Sequence, residues 1–147
     1  MADKRQFCTF FLDRFFFGIA AEKVQEIVRY QNITFVPLAP VEVRGLINLR
    51  SQIAIAIDLR LRLDLPPLND DRLPLNLVVR VDGDNISLLV DDVGDVLDVS
   101  DDWFEPVPET LTGKVRELIL GAYKLENRLL LILDVEKVVD LNSSSIA

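Results

Sequence analysis

Residues 43–59 read VRGLINLRSQIAIAIDL, and both halves of this stretch alternate with the two-residue period of a β-strand. Over residues 52–59 an aliphatic side chain occupies every second position, which predicts a half-buried strand with the isoleucines on its apolar face. Over residues 43–50 the alternation separates an apolar face from a more polar one. The apolar face holds Val43, Gly45, Ile47 and Leu49, and the other face holds Arg44, Leu46, Asn48 and Arg50.

Two features distinguish residues 43–50 from an ordinary strand. Gly45 weakens a strand unless another backbone approaches closely or the strand bends at that point. The polar face combines two arginines, an amide and a leucine, and this mixture suits a protein interface. From these residues alone, an exposed strand face with scattered charges explains the pattern equally well.

Similar short apolar patterns, separated by turn residues, occur along most of the chain. They predict seven further strands, at residues 7–12, 15–19, 75–82, 86–91, 93–99, 118–125 and 129–133. Helical patterns are scarce, with a short turn or helix at residues 20–27 and a helix at residues 134–141 that Asp134 would cap. The sequence therefore predicts an all-β barrel or sandwich with a little helix, and not an α/β nucleotide-binding fold.

The length of 147 residues fits one domain with a substantial core. The proline-rich residues 65–74 are the best candidate for a hinge between two halves, and the small, polar residues 142–147 are expected to fray. The N-terminal stretch has no signal-peptide pattern, and no apolar run is long enough to cross a bilayer. We therefore expect a cytoplasmic protein without direct membrane insertion.

The composition excludes several classes of function. With 16 basic and 24 acidic residues the formal net charge is -8, which disfavours nucleic acid and anionic membranes as partners. The chain has no histidine, so Ser-His-Asp and Cys-His nucleophile systems and histidine-based zinc sites are excluded. Cys8 is the only cysteine, so no intrachain disulfide can form.

Three apparent motifs do not indicate chemistry. Gly113-Lys114 lacks the first glycine and the metal-binding Ser or Thr of a phosphate-binding loop. The aspartates within residues 82–102 fit no calcium-binding register, and a solvated strand edge explains them better. The phenylalanines at residues 10–17 are interpreted as barrel core and not as a platform for stacking bases. We predict no cofactor and no metal.

Five short motifs resemble, in order and spacing, those of the CheW family of chemotaxis adaptors, and the resemblance extends over residues 7–141. The motifs are VQEI at residues 24–27, VPLAP at 36–40, GLINLR at 45–50 followed by IDLR at 57–60, LVDDV at 89–93 and LILDVEK at 131–137. One position departs from the family, because Ser51 follows Arg50 where the family usually has glycine. If that glycine needs a positive φ, serine costs about 1 kcal/mol and can change the direction of Arg50.

The resemblance implies an architecture and a role. The fold would be two SH3-like five-stranded β-barrel subdomains packed together, with a short C-terminal helix. Residues 7–141 would form one CheW-like domain, flanked by an N-terminal tail at residues 1–6 and a C-terminal tail at residues 142–147. The protein would couple the cytoplasmic tip of a chemoreceptor to the regulatory domain of a CheA-type histidine kinase, without being an enzyme.

The resemblance also implies which residues bind partners. They are Val24, Glu26, Ile27, Arg44, Gly45, Leu46, Asn48, Leu49 and Arg50. Arg50 would make a charge-assisted contact, either with a partner carboxylate or with Glu26 as an orienting pair. Asp58 and Arg60 are expected to be structural and to hold the turn after the strand.

Two alternatives stay open at this point. The same module serves adaptors of non-flagellar pathways such as twitching or phototaxis, and residue chemistry does not separate these from flagellar chemotaxis. A β-barrel small-molecule binder or enzyme that uses carboxylates such as Asp91 and Asp95 is a further hypothesis. It requires those acids to line a concave pocket.

Overall fold

Short strands dominate the computed structural model, which describes residues 4–29, 31–50, 52–67 and 73–141. The strands are β1 (Lys4–Leu12), β2 (Phe15–Ala20), β3 (Val24–Val28), β4 (Val43–Leu49), β5 (Gln52–Asp58), β6 (Leu75–Val81), β7 (Asp84–Val90), β8 (Asp92–Ser100), β9 (Phe104–Glu105), β10 (Ile119–Lys124) and β11 (Leu129–Leu133). Three short helices accompany them: α1 (Leu59–Arg62), α2 (Gly113–Glu117) and α3 (Val135–Val139). The predicted all-β class with a short C-terminal helix is confirmed.

The strands form two sheets. Sheet A has the order β8-β1-β2-β11-β10-β9, and sheet B has the order β3-β6-β7-β5-β4. Sheet B is continuous in sequence, whereas sheet A combines the first two strands with the last four. Sheet A has six strands instead of five because the two-residue strand β9 adds to the edge of β10.

Three apolar clusters fill the molecule. One lies inside sheet B and includes Ile47 and Ala54, and a second lies inside sheet A and includes Phe7 and Tyr123. The central cluster joins the sheets, since it contains Phe10 and other residues from sheet A together with residues from sheet B and from α1 and α3. Each sheet therefore curves around its own interior, and the two pack together through a shared core.

Helix α1 connects the two sheets through two arginines. Arg60 makes a bidentate contact with Asp91, with Nε–Oδ1 and Nη2–Oδ2 distances of 2.9 and 2.6 Å. Both side chains are nearly buried, and the hydrogen bond to Asp91 raises the pKa of Arg60 further. Arg62 is buried and donates to the carbonyls of Lys137 and Val138 at the end of α3, each at 2.8 Å. The helix thereby joins sheet B to segments far away in the sequence.

The observed strands differ from the predicted ones in three places. Residues 24–28 form strand β3 instead of continuing a helix, because only Ala21–Lys23 adopts a helical turn. The short strand β9 was not predicted, since two residues carry no period. Strand β1 begins at Lys4, earlier than the expected boundary at Phe7. All nine predicted strands, β1 included, are confirmed within a few residues.

The expected hinge at residues 65–74 is wrong as a division between halves. The strands on both sides of it, β5 and β6, belong to sheet B, and β7 pairs with both of them. The chain passes from one sheet to the other between β2 and β3 and again between β7 and β8. The expected fraying of residues 142–147 lies outside the described residues.

The phenylalanines and aspartates occupy the expected environments. Phe10, Phe16 and Phe17 are buried. Most aspartates of residues 82–102 are exposed, and three of them, Asp92, Asp95 and Asp98, lie on the edge strand β8. Asp91 is only partly exposed and pairs with Arg60. Within the described ranges, no helix has both the length and the apolar character needed to cross a membrane.

Candidate protein-binding face on β4 and β5

The antiparallel pair β4 and β5 presents an exposed surface with apolar residues at its centre. Leu46 pairs with Ile55 and Asn48 pairs with Ile53, so these four side chains share the outer face of sheet B. Ile53 is 68% exposed and Ile55 is 43% exposed, although both are large and apolar. We call this surface, which consists of Arg44, Leu46, Asn48, Ile53 and Ile55, the β4–β5 face.

The prediction that the isoleucines of β5 form its buried face is wrong for two of the three. Ala54 and Ala56 point into the interior of sheet B, where they pack beside larger side chains such as Ile47 and Leu89. Ile57 is buried only because the central cluster covers that end of the strand. Ile53 and Ile55 lie beyond the covered part and remain exposed to solvent. Large aliphatic side chains exposed next to one another are typical of an interaction surface.

Gly45 shapes the edge of this face. Its φ is +147°, and a Cβ at this position would collide with the carbonyl oxygen of Thr34 and lie 2.6 Å from Ile33 Cγ2. The backbone of Thr34 pairs with Leu46 through hydrogen bonds of 2.8 and 2.9 Å. The close approach of a second backbone, which was one of the two reasons expected for the glycine, is therefore present, and β4 also has a register shift there.

Arg44 is linked to the start of α1. Its Nη1 lies 3.4 Å from Oδ2 of Asp58, and the other carboxylate oxygen of Asp58 accepts a hydrogen bond from the backbone of Leu61. Asp58 is therefore the N-cap of α1 as well as the partner of Arg44. Together with the buried pair of Arg60, these contacts support the structural role expected for Asp58 and Arg60.

Glu26 and Arg50 bring the two edges of sheet B together. Glu26 is on β3 and Arg50 follows β4, and these strands are the opposite edges of the sheet. Arg50 Nη2 lies 3.6 Å from Glu26 Oε2, and the arginine side chain is 88% exposed. Arg50 also has a φ of +47°, a backbone conformation that side-chain-bearing residues rarely adopt. The strained residue of the turn after β4 is therefore the arginine itself. Ser51 itself lies outside the described residues, so its expected effect on this turn stays a prediction.

The candidate partner-binding residues divide into three groups by exposure. Arg44, Asn48, Arg50 and Ile27 are exposed, and Leu46, Val24 and Glu26 are half-buried. Gly45 and Leu49 are buried, so they support the face and do not offer side chains to a partner. Sequence reasoning missed Ile53 and Ile55. The signal that indicates them is the alanine at every second position, because small residues fit the interior of a narrow barrel.

The geometry offers little for catalysis. No group of three or more acidic or cysteine side chains suited to a metal ion occurs among the residues that the structure describes. Of the two carboxylates considered for a β-barrel enzyme, Asp91 is held by Arg60 and Asp95 is exposed on the edge strand β8. The Cys8 thiol is buried, and burial raises its pKa, which disfavours the reactive thiolate.

Comparison with known proteins identifies the family. The CheW-like domain profile matches residues 6–143. The Chemotaxis protein CheW of Bacillus subtilis is 32% identical over 131 residues, covering 89% of this chain and 84% of its own. That of Treponema pallidum is 31% identical over 137 residues, covering 90% of this chain and 81% of its own.

A solved structure agrees with these sequence relatives. The scaffolding protein TtCheW from Thermoanaerobacter tengcongensis superimposes with a TM-score of 0.80 at 26% identity. The match covers 90% of this chain and 89% of that protein. The chain therefore belongs to the CheW-like domain family, a family of chemotaxis scaffold proteins.

Proposed function

We propose that this protein is a cytoplasmic, non-catalytic adaptor that couples a chemoreceptor to a CheA-type histidine kinase. The observation that carries the proposal is the β4–β5 face. It has an apolar centre at Ile53 and Ile55 and a polar rim at Arg44 and Asn48, which is the composition of a protein interface. Membership of a chemotaxis scaffold family supports the same role.

We assign the regulatory domain of the kinase to the β4–β5 face. The resemblance implies that this domain has the same fold and pairs barrel against barrel, which suits a sheet face that is exposed in the free protein. A partner that covers Ile53 and Ile55 removes apolar surface from water, at about 25 cal/mol per Å². Arg44 at the rim favours acidic side chains on the partner.

We assign the helical tip of the chemoreceptor to a second surface near the junction of the two sheets, with Ile27 as an apolar contact. Ile27 is 47% exposed on β3, although it is large and apolar. Its neighbour Glu26 is tied to Arg50, which lies at the end of β4. A movement of this ion pair would therefore change both surfaces. Coupling requires that one partner's affinity differ between the states of the other partner, and such a movement could produce that difference.

The kinase contact is tested by isothermal titration calorimetry. The Ile53→Glu variant is titrated with the regulatory domain of the kinase from the same organism. Burying an unpaired carboxylate in the centre of an interface is expected to weaken binding at least a hundredfold. The matched control is Leu120→Glu, which changes an apolar residue of similar exposure (58%) on sheet A and should leave the affinity unchanged. Equal affinity of Ile53→Glu and the wild type would refute the assignment.

The receptor contact is tested by co-sedimentation with membranes or vesicles that display a receptor tip. Ile27→Glu is expected to reduce the amount of adaptor that sediments, while its affinity for the isolated kinase domain stays within about twofold. Failure of the wild-type protein to bind either partner at low salt would overturn the adaptor proposal as a whole.

A further inference from the structure

An open cavity beside sheet A shares no residue with the β4–β5 face. Its volume is about 500 Å³, within the range of about 300–1,000 Å³ that is typical of small-molecule sites. Phe7, Tyr123 and Ile132 form a buried apolar wall. At its rim, Phe104 is 47% exposed and Leu120 is 58% exposed. The proposed adaptor function does not require this cavity.

Tyr123 contributes a hydroxyl group to the aromatic wall of the cavity. Tyr123 is only 4% exposed, and its ring packs against Phe7 and Phe104 with centroid distances of 5.3 Å each. Its side chain lines the cavity, and its oxygen is not among the buried polar atoms that lack a hydrogen-bond partner in the described part of the chain. The hydroxyl therefore faces the open cavity, where it can bond to water or to a ligand.

The surroundings of the hydroxyl place it at the charged end of the cavity. Burial raises the pKa of Tyr123, while the charges of Arg5 and Asp101 act on it in opposite directions. Both of these residues line the cavity. At neutral pH the tyrosine is therefore protonated and can donate a hydrogen bond to an oxygen atom of a ligand.

The charges along the cavity balance one another. Two cations and two carboxylates line it, and Arg5 Nε lies 2.8 Å from Asp101 Oδ1. The second cation, Lys23, pairs at 2.9 Å with Glu136, which lies outside the lining, and the second lining carboxylate is Glu22. A charged ligand would therefore lose its hydration without meeting a net opposite charge.

We propose that this cavity binds a neutral amphiphilic small molecule, with an apolar body against the aromatic wall and one oxygen-bearing group at Tyr123. The apolar body replaces water next to Phe7 and Ile132, and this gives most of the affinity. A hydroxyl or carbonyl oxygen accepts the hydrogen bond of Tyr123, which fixes the orientation of the ligand.

The test uses 4-phenyl-1-butanol as the probe and follows backbone amide chemical shifts of the full chain. We expect saturable shifts around β10 and β11. Tyr123→Phe keeps the ring and its packing and should weaken binding of the alcohol about three- to tenfold. The same variant should bind butylbenzene, which lacks the oxygen, as well as the wild type does. Thr110→Val, in a separate cavity, is the matched control and should change neither affinity.

Three results would overturn the proposal. The first is the absence of saturable shifts up to the solubility limit of the alcohol. The second is binding that Tyr123→Phe leaves unchanged. The third is tighter binding of 4-phenylbutyrate than of the alcohol, since it would mean that the cavity selects an anion. None of these results bears on the kinase contact, which is measured separately.

Discussion

Arg60 and Arg50 both make ion pairs with carboxylates, but their surroundings are opposite. The side chains of Arg60 and Asp91 are 12% and 10% exposed and meet in a bidentate contact with a closest distance of 2.6 Å. Those of Arg50 and Glu26 are 88% and 28% exposed and meet at 3.6 Å. The first pair can be lost only at the cost of leaving a buried charge, whereas solvent compensates for loss of the second. Arginine thus has two roles in this protein. Arg60 holds the two sheets together, whereas Arg50 remains accessible and can exchange Glu26 for a carboxylate of a partner.

The largest effect is expected for Arg60→Ala. Removal of the arginine leaves the carboxylate of Asp91 nearly buried without its bidentate partner, so the free energy of unfolding should fall by about 3–5 kcal/mol. Urea denaturation measures this change. The double variant Arg60→Ala/Asp91→Ala should lose less than the sum of the two single variants. A loss below about 1 kcal/mol for Arg60→Ala would show that the buried pair does not hold the sheets together.

A second, smaller loss is expected for Arg62→Met. Methionine keeps much of the apolar volume but cannot donate to the carbonyls of Lys137 and Val138, so the loss should be about 2–3 kcal/mol. Hydrogen exchange should then accelerate in α3 more than in β6. Equal protection of α3 in the variant and the wild type would contradict the proposed anchoring of that helix.

Arg50→Ala should separate stability from binding. Because its ion pair is exposed, the free energy of unfolding should change by less than about 0.5 kcal/mol. Binding of the kinase's regulatory domain is expected to weaken about tenfold, since a charge-assisted contact is removed from the interface. Urea denaturation and calorimetry measure the two quantities on the same sample. If Arg50→Ala lost as much stability as Arg60→Ala, the Arg50–Glu26 and Arg60–Asp91 pairs would not differ in the way described.

The smallest effect concerns Lys23 and Glu136, a pair of intermediate exposure. The hydrogen bond from Lys23 lowers the pKa of Glu136 below its ordinary value of 4.5. Because the folded-state pKa is depressed, the pair stabilises the protein above that value and ceases to do so as the pH falls through the folded-state pKa. In Lys23→Ala the pKa of Glu136 should return toward 4.5, as measured by carboxyl chemical shifts. An unchanged pKa would show that the lysine is not its cause.

The periodicity of the sequence predicted most strands, because a half-buried strand needs alternation and turn residues separate its neighbours. It assigned the wrong face of β5 to the core, since which face is covered depends on where the second sheet ends. Ile57 lies under that sheet and Ile53 does not. Motif position gave Glu26 as one of two possible partners of Arg50, and the structure shows that pair. The partnership of Arg60 with Asp91 spans 31 residues of sequence and has no local signal.

The split composition of sheet A has a consequence for how the chain folds. Strands β3 to β7 are continuous, so sheet B can assemble as soon as residues 24–90 are available. Strand β1 must wait for β8, with Phe7 opposite Leu97, and β2 must wait for β11. Because closing such long loops costs entropy before any contact forms, we expect sheet B to form first and sheet A to close around it last. During synthesis, the aromatic strand β1 would then lack its partner β8 until residues 92–100 emerge, and β2 would lack β11 until residues 129–133 emerge.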